Sequence, residues 1–232
     1  MRAMNTNQTQ PRRTIKSFVR RHRHLTAHQE KLFKEHRAEF EVDDSFRTRA
    51  QAQGNLILEI GFGDGHSLWQ MAQQHPDCHY IGVEVHAPGI ASLMQNLLEH
   101  SITNVKIFNG DAVEFLKNQI ADQSLSRVQI FFPDPWHKLK HHKRRLIQPE
   151  FVDLLKQKLR VGGVIHCATD WEGYAKHMMK VLSEAPGLQN SVGERQFADN
   201  STNQLRPTTK FERRGLKLGH ATWDLLFSLR VS

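Results

Sequence analysis

From Asn55 onward, five short apolar runs alternate with helical periodicities, and a carboxylate stands in or just beyond each run. The runs are Leu56 to Ile60, Tyr80 to Val85, Val105 to Phe108, Val128 to Phe132 and Val164 to Ala168. Each is rich in β-branched or aromatic residues and bounded by Gly, Asn, Asp or Pro, the pattern of buried parallel strands. Glu59 and Glu84 lie within the first two, and Asp111, Asp134 and Asp170 follow the other three. Open α/β sheets bind ligands outside the carboxyl ends of their strands, so these five acids are expected to face one crevice. Asp111 and Asp170 are also suited to cap the helices that follow them. Capping explains Glu59 and Glu84 less well, because they sit inside apolar runs, where a buried carboxylate needs a partner.

Helical stripes fill the intervals. Ile90, Leu93, Met94, Leu97 and Leu98 share one face, with Pro88 placed to open the helix. Shorter stripes are Leu68, Met71 and Ala72; Phe151, Leu154, Leu155 and Leu159, with Gly162-Gly163 as the expected stop; and Trp171, Tyr174, Ala175, Met178 and Leu182. Apolar residues then alternate from Ala221 to Val231, a strand period, while residues 190–203 show no period and are expected to loop. A doubly wound α/β sheet with a late added strand follows.

The chain has 232 residues, 38% hydrophobic and 24% charged, which suits one soluble globular core. No stretch approaches the ~20 apolar residues of a membrane span, and the N-terminus lacks the apolar segment of a secretory signal. Cys78 and Cys167 are too few for a disulfide framework or a metal knuckle, so a cytoplasmic location is expected. The net charge of +8 is concentrated: residues 1–38 hold ten Lys/Arg against two acids, while 39–232 balance. This basic arm favours nucleic acid or an anionic membrane surface and is expected to be mobile until it binds, with 39–232 forming a single domain. Its Arg-rich composition is also that of a transit peptide, without the regular apolar face of one. Two further basic clusters run from His137 to Arg145 and from Arg206 to Lys217; three such clusters suggest a surface that tracks phosphates, where one alone could be a solvated face.

The first strand runs into Gly61-Phe62-Gly63-Asp64-Gly65, a G-x-G-x-G turn and not the G-x-G-x-x-G of dinucleotide binders. Gly61 and Gly63 let the backbone approach a ligand. Glu59 is placed to meet an ammonium group and Glu84 to accept from ribose hydroxyls. An ammonium and a ribose without a pyrophosphate describe S-adenosylmethionine better than a nicotinamide cofactor.

After the fourth strand comes Phe132-Pro133-Asp134-Pro135-Trp136-His137-Lys138. Prolines on both sides restrict the backbone around Asp134, which is expected at the mouth of the crevice with Trp136 packing on a planar base. A rigid turn with a core Trp is the plainer alternative. His137, His141 and His142 are close in sequence, but the surrounding cations and the lack of a neighbouring Cys or carboxylate argue against zinc.

On these segments, together with Ile15 to Arg21, Thr169-Asp170-Trp171-Glu172, Arg206 to Gly215, Leu218-Gly219-His220 and Trp223-Asp224-Leu225, the sequence resembles the bacterial tRNA (guanine-N7-)-methyltransferase family. The resemblance implies a class I S-adenosylmethionine-dependent methyltransferase fold, Rossmann-like, with a mostly parallel sheet and a late antiparallel strand. It implies methylation of N7 of a guanine at position 46, in the tRNA variable loop. By motif position, Glu59, Glu84, Asp111 and Asp134 would line the cofactor site beside Gly61 and Gly63, and Asp134 would be catalytic. Lys138, Asp170, Thr209, Lys210, Phe211 and Glu212 would contact the substrate, and Lys140, Lys143, Arg144 and Arg145 the RNA. The implied partner is tRNA, with no membrane and no metal, bound by a monomer or homodimer.

Guanine N7 already presents a lone pair, so catalysis rests on in-line placement and on a carboxylate where positive charge develops. The rival readings are a methyltransferase acting on an exocyclic amine or another base, a non-catalytic RNA-binding module, and a nicotinamide-dependent oxidoreductase.

Overall fold

A computed structural model describes residues 24–209, 212 and 221–230. Seven strands form one sheet in the order β3-β2-β1-β4-β5-β7-β6: β1 Leu56–Ile60, β2 His79–Glu84, β3 Val105–Asn109, β4 Leu125–Phe131, β5 Leu159–Thr169, β6 Leu188–Asn190 and β7 Trp223–Leu229. The first five pair in parallel, and β7 runs antiparallel to both β5 and β6. Reversal of strand order at β1 and β4 opens a crevice at their carboxyl ends.

Side-chain alternation along the strands divides the core into two layers. Leu58, Ile60, Ile81, Val83, Val128 and Ile130 pack with residues of α5 (Ala112–Gln119), α6 (Pro149–Lys158) and α7 (Glu172–Glu184). Ile57, Tyr80, Val105, Ile107 and Phe131 pack on the other face with α3 (His66–Gln74) and α4 (Ala87–Glu99). Pro88 lies in the first turn of α4, as its position predicts. Gly89 is demanded by close approach, since a Cβ there would lie 2.1 Å from the carbonyl oxygen of Gly63.

Three expectations need correction. The boundary placed at residue 38 falls inside α1 (Ala27–Phe40), which Thr26 and Gln29 open with a reciprocal capping box. Its Leu32 and Phe40 are buried in the α4 layer, so this part of the basic segment belongs to the fold; residues 1–23 lie outside the described residues. Gly162-Gly163 does not stop α6, which ends at Lys158. The pair instead kinks β5, where Gly162 takes φ +77° and the pairing with β4 slips between Leu125 and Arg127. Within the expected loop, α8 (Asn200–Asn203) forms one turn capped by Asp199, and Asn190 closes the three-residue β6.

The segment after α1 also covers the outer edge of β3. Glu41 makes a parallel bridge with Ile107, and Lys106 donates to the carbonyl of Glu39 at 2.6 Å. α2 (Asp44–Gln53), capped by Asp43, follows directly. An otherwise open strand edge is thereby closed to unwanted pairing.

Candidate active site

The crevice is lined by Ile60, Gly61, Glu84, Asp111, Phe132 and Asp134, among others. Three of the five expected carboxylates thus meet on one wall. The glycine turn explains its own spacing: Gly61, Gly63 and Gly65 have φ of +73°, +62° and +78°, a left-handed residue at every second position. A Cβ at Gly61 or Gly63 would touch nothing within 4 Å, so the turn presents open backbone.

Glu84 locks this turn to β2. Its Oε2 accepts from the Gly63 N–H at 2.9 Å, while Oε1 accepts from Val85 at 2.7 Å and His86 at 3.0 Å. An ionised carboxylate offers about four lone-pair sites, so three backbone donors orient it and leave capacity for a ligand hydroxyl. Asp111 is both a cap and a wall: Oδ1 accepts from Val113 at 2.8 Å and Glu114 at 3.4 Å, opening α5.

Glu59 and Asp170 are not on this wall. The pleat of β1 turns Glu59 to the same face as Ile57, where it is 2% exposed and its Oε2 has no hydrogen-bond partner among the described residues. Burial pushes its carboxyl up to about 8, and nearby Arg206 opposes that rise. Asp170 stands exposed at the end of β5.

Asp134 is exposed at the mouth, on a loop braced from behind. Phe132 takes φ +52°, a strained value for an aromatic residue, and its N–H donates to the Ala168 carbonyl at 2.8 Å. Arg145 was expected to contact RNA, but it is 5% exposed, donating to the Pro135 carbonyl at 2.9 Å and lying over the Tyr174 ring. Arg144 is half-buried, with its guanidinium 3.8 Å from the centre of the Trp136 ring. The base platform expected of Trp136 is therefore already covered by a cation. Lys138, Lys140 and Lys143 remain exposed, the last two on a 3-10 helix, Leu139–Arg144.

Glu212 lines a second cavity with Arg206, Thr208 and Asp224. It is 4% exposed and receives two bonds from Arg206, at 2.5 and 3.1 Å, while Thr209 and Glu212 cap each other through backbone N–H groups. Arg206 donates twice more to Asp224, at 2.8 Å each, and Asp224 pairs with His166 at 2.7 Å. Burial depresses the His166 pKa despite that bond, so a neutral ring donates to an ionised Asp224. The Arg206 guanidinium also lies 5.0 Å from the Phe132 ring centre, linking this cluster to the strained residue before Asp134. Arg206, Asp224 and His166 were not singled out from sequence. An acid inside the alternating Trp223-Asp224-Leu225 run was the available signal. Lys210 and Phe211 lie outside the described residues, as do Arg213, Arg214 and Lys217 of the same basic cluster.

Among the described residues, no group of three or more His, Cys, Asp or Glu is gathered to hold a metal ion, and no helix is long and apolar enough to cross a membrane.

A family profile described as "Putative methyltransferase" matches residues 53–225. The chain is 46% identical over 230 residues to a tRNA (guanine-N(7)-)-methyltransferase of Stutzerimonas stutzeri, covering 97% of this chain and 96% of that one. It is 48% identical over 227 residues to the protein of the same name from Pseudomonas aeruginosa strain PAO1, covering 95% and 92%. Among solved structures, the 16S rRNA methyltransferase KamB superposes with a TM-score of 0.60 at 13% identity, over 82% of this chain and 95% of that one, a likeness of fold alone.

Proposed function

Since the chain belongs to the tRNA (guanine-N7-)-methyltransferase family, we propose that the crevice at β1, β2 and β4 is where its reaction takes place, with Asp134 as the catalytic residue. The enzyme uses S-adenosylmethionine to methylate N7 of guanine in tRNA. Our reading of its target is the variable-loop guanine at position 46, and of its location the cytoplasm.

The residues present suit the cofactor. Open glycine backbone, a three-point-fixed Glu84 and the free Oδ2 side of Asp111 offer acceptors for hydroxyl and amino groups. Glu59, two residues before Gly61, keeps an unmet Oε2 on the other face of β1, an acceptor that a cation reaching that face would satisfy and ionise. When bound, S-adenosylmethionine supplies the methyl group and, with it, the positive charge of its sulfonium.

The protein's part is placement and electrostatics. N7 needs no general base, so Asp134 serves as a fixed negative charge where the purine becomes cationic. Lys138, Lys140 and Lys143 hold phosphates at the rim. The single observation that carries this reading is that proline-bracketed Asp134 shares a wall with Glu84 and Asp111 four residues before an exposed lysine row.

The test is methylation of unmodified tRNA with a labelled cofactor, followed by nucleoside mapping by mass spectrometry. N7-methylguanosine at position 46 is the expected product. A methyl group on an exocyclic amine would overturn the assignment.

A further inference from the structure

Leu139 is 85% exposed, the most exposed large apolar side chain among the described residues, and it projects from the middle of the lysine row. Trp171 is 43% exposed at the end of β5, directly after Asp170. The His137 ring joins the two places: it meets the Trp171 ring edge-on, with centroids 4.2 Å apart, and stands two residues before Leu139. Both apolar groups therefore border the loop that carries Asp134. Trp136, by contrast, already has the Arg144 guanidinium on its ring.

We propose that Leu139 and Trp171 form a contact surface for nucleobases of the tRNA next to the methylated guanine, Trp171 as a stacking platform and Leu139 as a wedge against unstacked bases. This rests on the reading of the enzyme as a tRNA guanine-N7 methyltransferase. Charge complementarity identifies the occupant. Leu139 is flanked by exposed Lys138 and Lys140, with Lys143 one turn on, and the stretch from His137 to Arg145 holds no acid. Cations at that spacing attract a polyanion, and an apolar side chain between them meets what lies between phosphates, namely sugars and bases. The geometry of the reaction asks for such a contact. A guanine presented to a crevice mouth must part from its stacked neighbours, and proteins that unstack bases support them with aromatic platforms and apolar wedges.

The experiment measures tRNA affinity across a salt series for Trp171→Ala, Trp171→Phe and Leu139→Ser, alongside methylation by the unaltered enzyme. Trp171→Ala should weaken binding about tenfold, the scale of losing one stacked base. Leu139→Ser, at a fully solvated position that folding does not depend on, should weaken it several-fold, and Trp171→Phe should stay within about twofold. The slope of log Kd against log salt should match the unaltered enzyme, because no phosphate contact has been removed. Cofactor affinity should not move. Equal tRNA binding by all three variants would overturn the proposal while an active parent enzyme keeps the underlying reading intact. A reduced salt slope, or a Phe variant as weak as Ala, would also overturn it. A parent enzyme that leaves tRNA unmethylated would instead sink the functional reading.

Discussion

The two sides of the crevice are built by different means. On the side proposed for the cofactor, Glu84 and Asp111 are held by backbone N–H groups: three for Glu84 and two for Asp111. On the side proposed for the RNA, the Asp134 loop is held by guanidinium groups, with Arg145 on the Pro135 carbonyl, Arg144 on Trp136 and Arg206 against Phe132. A backbone anchor survives most substitutions because every residue except proline brings an N–H. A guanidinium brace depends on one side chain whose planar fork Lys cannot reproduce. The RNA side should therefore be the more fragile, and its cations divide into braces and contacts.

The strongest test of that contrast is Arg206→Met. It leaves Glu212 and Asp224 buried without their partner, and losing one member of a buried pair costs about 3–5 kcal/mol. Urea unfolding should show a lower midpoint by a corresponding amount; an unchanged midpoint would mean the cluster braces nothing.

Next comes Asp134→Asn, which should lower kcat by about 10²-fold or more with the fold intact, the range for removing one preorganised electrostatic group. Single-turnover rates at saturating tRNA and cofactor decide it, and near-normal turnover would remove Asp134 from the mechanism.

Glu59→Gln probes the buried acid. Its folded pKa of about 8 lies above the ordinary 4.5, so the folded state binds the proton more tightly than the unfolded chain. That contribution to stability is whole below the ordinary value and is lost as pH rises toward 8. Without cofactor, the melting temperature of the parent should fall across that window, and the Gln variant should flatten the fall. Parallel profiles would show that Glu59 is already ionised at neutral pH.

The smallest effect sharpens the division among cations. Lys140→Ala with Lys143→Ala should reduce the salt slope of tRNA binding by roughly 0.7–0.9 per lost phosphate contact, whereas Arg145→Ala should lower stability and leave that slope alone. A salt series on each variant makes the comparison, and equal slopes for all would erase the distinction.

Strand ends were legible because pleat and topology leave little choice: a short β-branched run followed by Asp111 or Asp134 can only point its acid toward the crest of the sheet. The same alternation, followed one step further, puts Glu59 on the α3 face, a consequence that counting acids does not expose. Arg145 and Arg206 were illegible for a different reason. Sequence records a positive charge, not whether it meets phosphate or a carbonyl, and a basic run holds both kinds. Helix α1 was hidden because Leu32 and Phe40 are its only buried residues, a stripe too sparse to stand out against six charged neighbours of either sign. Strand β6, at three residues, is shorter than any period can register.

The bridge between Glu41 and Ile107 has a mechanical consequence. It fixes the end of α1, with its exposed Lys31, Lys34 and Arg37, to the outer edge of β3, while the lysine row follows β4, and only β2 and β1 lie between. With neighbouring strands ~4.8 Å apart, the two footholds stand roughly 14 Å from each other across the sheet. A polyanion that grasps both must drape over the opening between them, so a two-handed hold aligns the cargo where a single handhold would let it swing.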